Sequence, residues 1–232
     1  FRTACRNYAQ KYIDIQMEGF KRIGVLADWE HPYKTMDPGF EAEEVKVFGA
    51  MYKKGYIYKG LKPVYWCPND ETALAEAEIE YQDDPCTTVY VKFQMKDDQG
   101  KLAAYDHSKL YFVIWTTTIW TLPGNLAIAL HPDESYALVK APNGEAYIMA
   151  EALVEKVMHL GGFDTWEVAE THPGAFFENM LADHPFLPKT SRLLLADYVT
   201  MDSGTGCVHT APGFGADDYE TCKRYGVEMV VP

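Results

Sequence analysis

Basic residues are scarce in this chain. Its 232 residues carry 21 Lys and Arg against 34 Asp and Glu, a formal net charge of −13. Proteins that grip nucleic acid through many phosphates are usually basic, because each contact sets a cation against the backbone. The acidic balance therefore argues against an extensive phosphate footprint: if the chain acts on RNA, most of the grip comes from elsewhere or is confined to the terminal nucleotide. Cysteine is sparse as well. Cys5, Cys67, Cys86, Cys207 and Cys222 are odd in number and irregularly spaced, and no two form C-x-x-C. That pattern excludes a disulfide framework, gives a structural zinc site little support and suits a reducing cytoplasm. No apolar run approaches the ~20 residues that cross a bilayer, and the first residues lack the pattern of a signal peptide. A glycine-rich phosphate loop is missing too.

What is present suffices for a core: 47% hydrophobic and 14% aromatic residues, with 24% charged, which excludes global disorder. The chain begins at Phe1, inside a predicted helix, and so reads as a segment of something longer. Apolar residues at helical spacing (Cys5, Tyr8, Ala9, Tyr12, Ile13, Ile15, Phe20, Ile23) predict a helix over 2–23 that stops at Gly24. A second is predicted over 38–54, with Phe40, Val47, Phe48 and Met51 facing inward and Gly55 ending it.

From there the texture becomes β-rich. Strands are expected at 64–66, 87–95, 110–116, 126–130, 136–140, 146–149, 166–169 and 193–196, with Asn143-Gly144 as a hairpin turn. Helices are expected at 151–160 and 217–225. The reading is a mixed α/β chain: a helical segment over 1–60, then a β-barrel-like body over 61–232 with peripheral helices.

Two segments carry candidate chemistry. In the first, Trp115 to Asn125, three consecutive threonines (Thr116, Thr117, Thr118) end an apolar strand before Pro123-Gly124 turns the chain. Branched threonines suit an ordinary strand edge; alternatively, hydroxyls at a strand end hold a polar substrate and a water, each offering one donor and two acceptor sites. In the second, Gly204 to Tyr219, glycines flank His209, and Asp217 and Asp218 stand where a helix begins. Either aspartate could simply cap that helix, and His209 could be a satisfied, half-buried histidine.

Taken together, W-T-T-T-x-W-T-L-P-x-N and G-T-G-x-V-H-T-A-P-G-x-G-x-D-D-Y resemble the two signature segments of the editing domain of isoleucyl-tRNA synthetases, in the right order along the chain. Lys53 to Trp66 and Ala73 to Tyr81 resemble the stretch leading into that domain, so the likeness covers essentially the whole sequence. The valyl and leucyl relatives usually read T-T-R-P-E/D-T at the first segment, and this chain departs from that toward the isoleucyl form. Three positions depart from the family pattern: Ile119 stands where proline is common, Phe214 where histidine is common, and Cys67-Pro68-Asn69-Asp70 lacks the second cysteine of a zinc-binding C-P-x-C.

The resemblance implies the valyl/isoleucyl/leucyl type of editing barrel and hydrolysis of valine wrongly esterified to tRNA(Ile). It implies that Asp218 binds the substrate α-ammonium and that His209 limits side-chain size at the pocket wall. Thr116, Thr117 and Thr118 would hold the ester and the attacking water. Trp120, Thr121, Asn125, Thr210 and Asp217 would bind substrate beside them. It implies no metal and no cofactor. Nothing resembles the H-I-G-H or K-M-S-K-S signatures, so no ATP binding is expected. The expected partners are the valyl-adenosine 3′ end of the misacylated tRNA and the remainder of the parent synthetase, in the cytoplasm and away from membranes. Two rival readings are a binding module that docks the tRNA end without hydrolysis, and a valyl or leucyl editing domain.

Overall fold

A computed structural model describes residues 1–231. The chain divides into two compact units, Phe1–Leu61 and Lys62–Pro232. The first holds α1 (Arg2–Arg22) and α2 (Pro38–Lys53). Pro38 opens α2 after Asp37, where its fixed φ is already helical and its missing N–H is not needed. Gly24 and Gly55, both at positive φ, close the two helices. In each case the glycine N–H and the next residue's N–H reach back to the last turn, as Gly24 to Lys21 and Val25 to Phe20, and as Gly55 to Tyr52 and Tyr56 to Met51.

One expectation fails in this unit. Neither helix buries a single residue, and Val47, Phe48 and Met51 are exposed. Periodic apolar spacing identifies the face that seeks a partner; it does not require the partner to lie within the same segment.

The second unit begins with a small hairpin, β1 (Tyr65–Cys67) against β2 (Thr72–Leu74). Its body is a nine-stranded sheet. Six strands close on themselves: β3 (Val89–Asp97), β4 (Leu110–Thr116), β5 (Ala127–Leu130), β9 (Leu181–Asp183), β10 (Thr190–Leu195) and β11 (Val208–Thr210). Three others, β6 (Ser135–Lys140), β7 (Ala146–Ala150) and β8 (Glu167–Pro173), extend the sheet outward from β4. The core lies inside the barrel and beneath this extension, around Phe93, Phe112, Ile114, Tyr136, Ile148 and Phe177. β5 and β7 are buried along their whole length, which explains why they read as unbroken apolar runs.

The barrel closes where the site lies. β11 pairs antiparallel with β5, matching His209 with Ile128, and touches β4 through Val208 opposite Trp115. The strand that carries His209 is thereby set beside the strand that ends in the threonines.

The expected helix over 151–160 is a 3-10 turn (Glu151–Leu153) followed by α3 (Val154–Leu160), and the last helix, α4, spans Ala216–Arg224. Three strands went unread, β2, β9 and β11. Each has only three residues, too few to show an alternating pattern.

One buried hydroxyl ties the hairpin extension to the approach to β11. Tyr136, fully buried, accepts from the His131 N–H at 2.9 Å and donates to the Gly206 carbonyl at 2.6 Å. Tyr136→Phe leaves both backbone groups unpaired in the interior and is expected to cost about 2 kcal/mol. Urea unfolding should show a lower midpoint at unchanged slope; an unchanged midpoint would mean that water replaces the hydroxyl.

Candidate functional site

A cavity of about 250 Å³ opens at the end of β4, between the threonine segment and the segment running from β11 into α4. Thr116, Thr117, Thr118, Thr121, His209 and Asp218 line it, together with Trp115 and Phe214. Among the described residues Asp218 is the one carboxylate in its walls, and no Lys or Arg lines it.

The threonines act as a chain of hydroxyls. After β4 the backbone enters a 3-10 turn, Ile119–Gly124. The Thr118 N–H donates to Thr116 Oγ1 at 3.1 Å, and Thr121 Oγ1 donates to the Thr118 carbonyl at 2.7 Å. Thr118 Oγ1 stands 3.3 Å from Thr116 Oγ1 and 3.2 Å from Thr121 Oγ1. Local side-chain bonds of this kind are what threonine offers where a strand gives way to a turn.

His209 is 8% exposed and held at both ring nitrogens. Asn125 fixes the tautomer. Its Nδ2 donates to the Ala127 carbonyl at 2.8 Å and to His209 Nδ1 at 2.7 Å, while its Oδ1 accepts from Ser191 Oγ. The reversed amide would set its oxygen against the Ala127 oxygen, so Nδ1 must be an acceptor. The ring proton therefore sits on Nε2, which donates to Thr121 Oγ1 at 2.9 Å. Burial, with His184 and Lys189 adding to it, pushes the His209 pKa down to about 4. The ring is neutral at neutral pH and its one lone pair is occupied. His209 can shape the wall and order the threonines, but it is not built to take a proton from water.

Asp218 stands in the first turn of α4. Its Oδ2 accepts the Ala211 N–H at 2.8 Å, and its Oδ1 lies 3.5 Å from the Tyr198 hydroxyl. Burial raises its pKa, the Ala211 N–H opposes the rise, and Asp217 adds to it. A carboxylate desolvated this way gains from a cationic partner.

The expected substrate-binding residues divide. Thr121 lines the cavity. Asn125 and Thr210 are fully buried behind it, Asn125 as the clamp on His209 and Thr210 with its hydroxyl on the Val208 carbonyl. Trp120 is 68% exposed and Asp217 is exposed, and neither is among the lining residues.

Supports that sequence reasoning missed come from far along the chain: Ser191 on Asn125, and Tyr198 beside Asp218. His184 Nε2 donates to the Leu122 carbonyl at 2.9 Å and Lys189 donates to that of Pro123, so the β9–β10 hairpin grips the 3-10 turn. Among the described residues no group of three or more His, Cys, Asp or Glu could hold a metal ion, and no helix is long and apolar enough to cross a membrane.

The sequence profile of the tRNA synthetases class I (I, L, M and V) matches residues 1–201. The chain belongs to the class I tRNA synthetases. Within that family it is 55% identical to an isoleucine–tRNA ligase of Caldicellulosiruptor saccharolyticus and 51% identical to one of Bacillus cereus, in both cases over 100% of this chain and 25% of the relative. The chain thus spans about a quarter of the length of the curated relatives it matches. Among solved structures, the cytosolic leucyl-tRNA synthetase editing domain of P. knowlesi superposes with a TM-score of 0.50 at 13% identity, over 64% of this chain and 67% of that one. The closed barrel with peripheral helices is therefore the fold of a synthetase editing domain, as the sequence led one to expect.

Proposed function

We propose that this chain is the editing part of an isoleucine–tRNA ligase and hydrolyses the ester of valine misattached to tRNA(Ile). The observation that carries the reading is the meeting, in one small cavity, of a single desolvated carboxylate, a chain of hydroxyls and a neutral histidine wall.

Each group has a task that suits its chemistry. Asp218 receives the α-ammonium, whose charge balances its own. Thr116, Thr117 and Thr118 hold the ester and a water, and hydroxyls aimed at the forming oxyanion stabilise it more than the ground-state carbonyl. Water adds to the acyl carbon, the ester C–O bond breaks, and the ribose oxygen leaves carrying a proton. No protein base is assigned: His209 has no free lone pair, and Asp218 is committed to the ammonium. The substrate's neighbouring ribose hydroxyl remains to help move that proton. Positioning, with no covalent enzyme intermediate, supplies the rate.

A second site is needed because one methylene is worth only about 1–3 kcal/mol in a pocket, isoleucine against valine being the standard illustration of that limit. A cavity that fits valine rejects isoleucine by overpacking. On this reading residues 1–60 join the barrel to the catalytic region of the parent enzyme, which supplies ATP-dependent activation, the rest of the tRNA grip and the cytoplasmic setting. Residues 61–232 form the editing domain.

The test is deacylation of valyl- and isoleucyl-tRNA(Ile) by the full-length protein without ATP. Release of valine alone is expected; release of neither overturns the proposal, and preference for threonine on tRNA(Val) reassigns it to the valyl branch. His209→Ala removes the ring that bounds the cavity. Discrimination, roughly tenfold to a hundredfold in wild type, should collapse as isoleucyl-tRNA becomes a substrate. A variant that still spares isoleucine would remove His209 from the size filter.

A further inference from the structure

The hydroxyls of Thr118 and Thr121 are set by a turn that is weak by construction. Ile119–Gly124 is a 3-10 helix of six residues with Pro123 inside it. A 3-10 turn bonds with poorer geometry than an α-helix, and proline has no N–H to give. The Thr121 N–H closes onto the Thr118 carbonyl at 3.0 Å, and the Asn125 N–H onto the Leu122 carbonyl at 2.9 Å. A turn of this kind keeps one shape only if something outside it takes hold.

The β9–β10 hairpin takes that hold. His184 follows β9, is 5% exposed, and is not among the residues lining the cavity. Its Nδ1 accepts the N–H groups of Leu187 at 3.1 Å and Phe186 at 3.4 Å. The ring proton therefore sits on Nε2, which donates to the Leu122 carbonyl at 2.9 Å. That carbonyl thus serves two donors, Asn125 from within the turn and His184 from the hairpin. Phe93 and Phe186 meet the imidazole edge-on, with ring centroids 5.7 and 4.5 Å away, and fix its orientation. Lys189 adds a second donor on the Pro123 carbonyl, and the His184 N–H bonds the Lys189 carbonyl at 3.0 Å, so both donors belong to one small unit.

We propose that His184 is a positioning residue of the hydrolysis: by holding the Leu122 carbonyl it sets where the Thr118 and Thr121 hydroxyls stand. The role rests on the editing reading above. The path from the ring to the site is short. Leu122 follows Thr121, whose hydroxyl bonds the Thr118 carbonyl and His209, and it precedes by three residues Asn125, the clamp on His209. A shift of the turn therefore moves the hydroxyls and the histidine wall together. Asp218 is carried by α4, a separate element, and keeps its place. Hydroxyl placement and ammonium binding are thus held from different sides, so loss of the grip falls on kcat and leaves KM near wild type. A misplacement of ~1 Å at the reacting atoms costs up to about 10²-fold in rate.

The experiment measures deacylation of valyl-tRNA(Ile) by the full-length protein without ATP, with urea unfolding of the same samples to count folded protein. Two substitutions separate the two ends of the ring. His184→Asn keeps an oxygen for the Leu187 N–H, and with it the hairpin's own turn, but is too short to reach Leu122. His184→Gln reaches Leu122 with its amide N–H. Per folded molecule, His184→Asn should lose about tenfold or more in kcat with KM within about twofold of wild type. His184→Gln should recover most of that loss. Lys189→Met, which drops the second donor and keeps the apolar stem, should lower kcat in the same direction. If wild type deacylates while His184→Asn and Lys189→Met keep its kcat, the grip is wrong and the editing reading stands. A glutamine variant as slow as the asparagine one would make His184 a residue of the fold alone and overturn the proposal. If His184→Asn does not fold, Lys189→Met decides, and an unchanged kcat there overturns the grip. If wild type does not deacylate at all, the editing reading fails and this role with it.

Discussion

Asp218→Asn is expected to abolish editing while making the protein more stable. Asparagine keeps the shape and can still accept the Ala211 N–H through its Oδ1. It cannot offer a negative charge to an ammonium, and breaking a desolvated ion pair by removing one partner costs ~3 kcal/mol or more, roughly 10²-fold or greater in rate. The stability gain follows from linkage. Burial raises the Asp218 pKa in the fold, so the fold prefers the protonated acid. That preference contributes fully below the unfolded-state pKa and is lost as pH rises through the folded value. At neutral pH wild type bears the cost of an ionised, desolvated carboxylate, and the amide does not. Thermal unfolding at neutral pH should place the variant above wild type, the gap closing as pH falls toward the range where Asp218 is protonated. Wild-type deacylation should fall over that same acid range, since only the carboxylate binds the ammonium. A variant that keeps wild-type rates would end the assignment of Asp218; one that loses activity and stability together would make it a structural residue.

Such a trade of stability for charge is visible only in three dimensions, and it marks the limit of what the chain's letters carry. Helix ends were legible because glycine at positive φ is a local requirement: Gly24 and Gly55 stop their helices by geometry confined to a few residues. Long strands were legible for a similarly local reason: β7 is buried at every residue, and β4 at all but Tyr111 and Trp115. The two segments around the cavity could be read as motifs, but not the reason they belong together. That reason is barrel closure through β11, a strand of three residues that no periodicity reveals. Ser191 and Tyr198 escaped notice because a serine or tyrosine becomes a support only when folding brings it to its partner, here 66 and 20 residues away in sequence. Apolar spacing in α2 was read correctly as a face and wrongly as a buried one. The acidic charge argued against an extensive phosphate grip, and among the described residues the cavity wall, with one carboxylate and no cation, supplies none.

Asn125 is where fold and site are least separable, and Asn125→Ala should show it. The amide satisfies three buried groups at once: the Ala127 carbonyl, His209 Nδ1 and the Ser191 hydroxyl. Alanine leaves all three without it. An unsatisfied buried polar group costs ~1–3 kcal/mol, and a water entering the space left by the amide can recover part of that. A net loss of about 3 kcal/mol is expected from urea unfolding at neutral pH. The functional effect has a separate readout. In wild type the amide proton holds His209 with its own proton on Nε2, and ring 15N shifts should report that single tautomer. Without Asn125 the ring can carry its proton on either nitrogen, and whenever Nε2 is bare Thr121 must turn its O–H from the Thr118 carbonyl toward the ring. The hydroxyl chain reverses at that link, so kcat should drop even where enough folded protein remains. The acid response should change as well. A histidine whose folded pKa is lowered from 6.5 to about 4 contributes stability that is present above pH 6.5 and is lost as pH falls toward 4. A ring opened to water by the alanine regains part of its ordinary pKa, so that acid-dependent loss should shrink in the variant. Stability within about 0.5 kcal/mol of wild type and an unchanged tautomer would show that Ser191 and the backbone alone can hold the histidine.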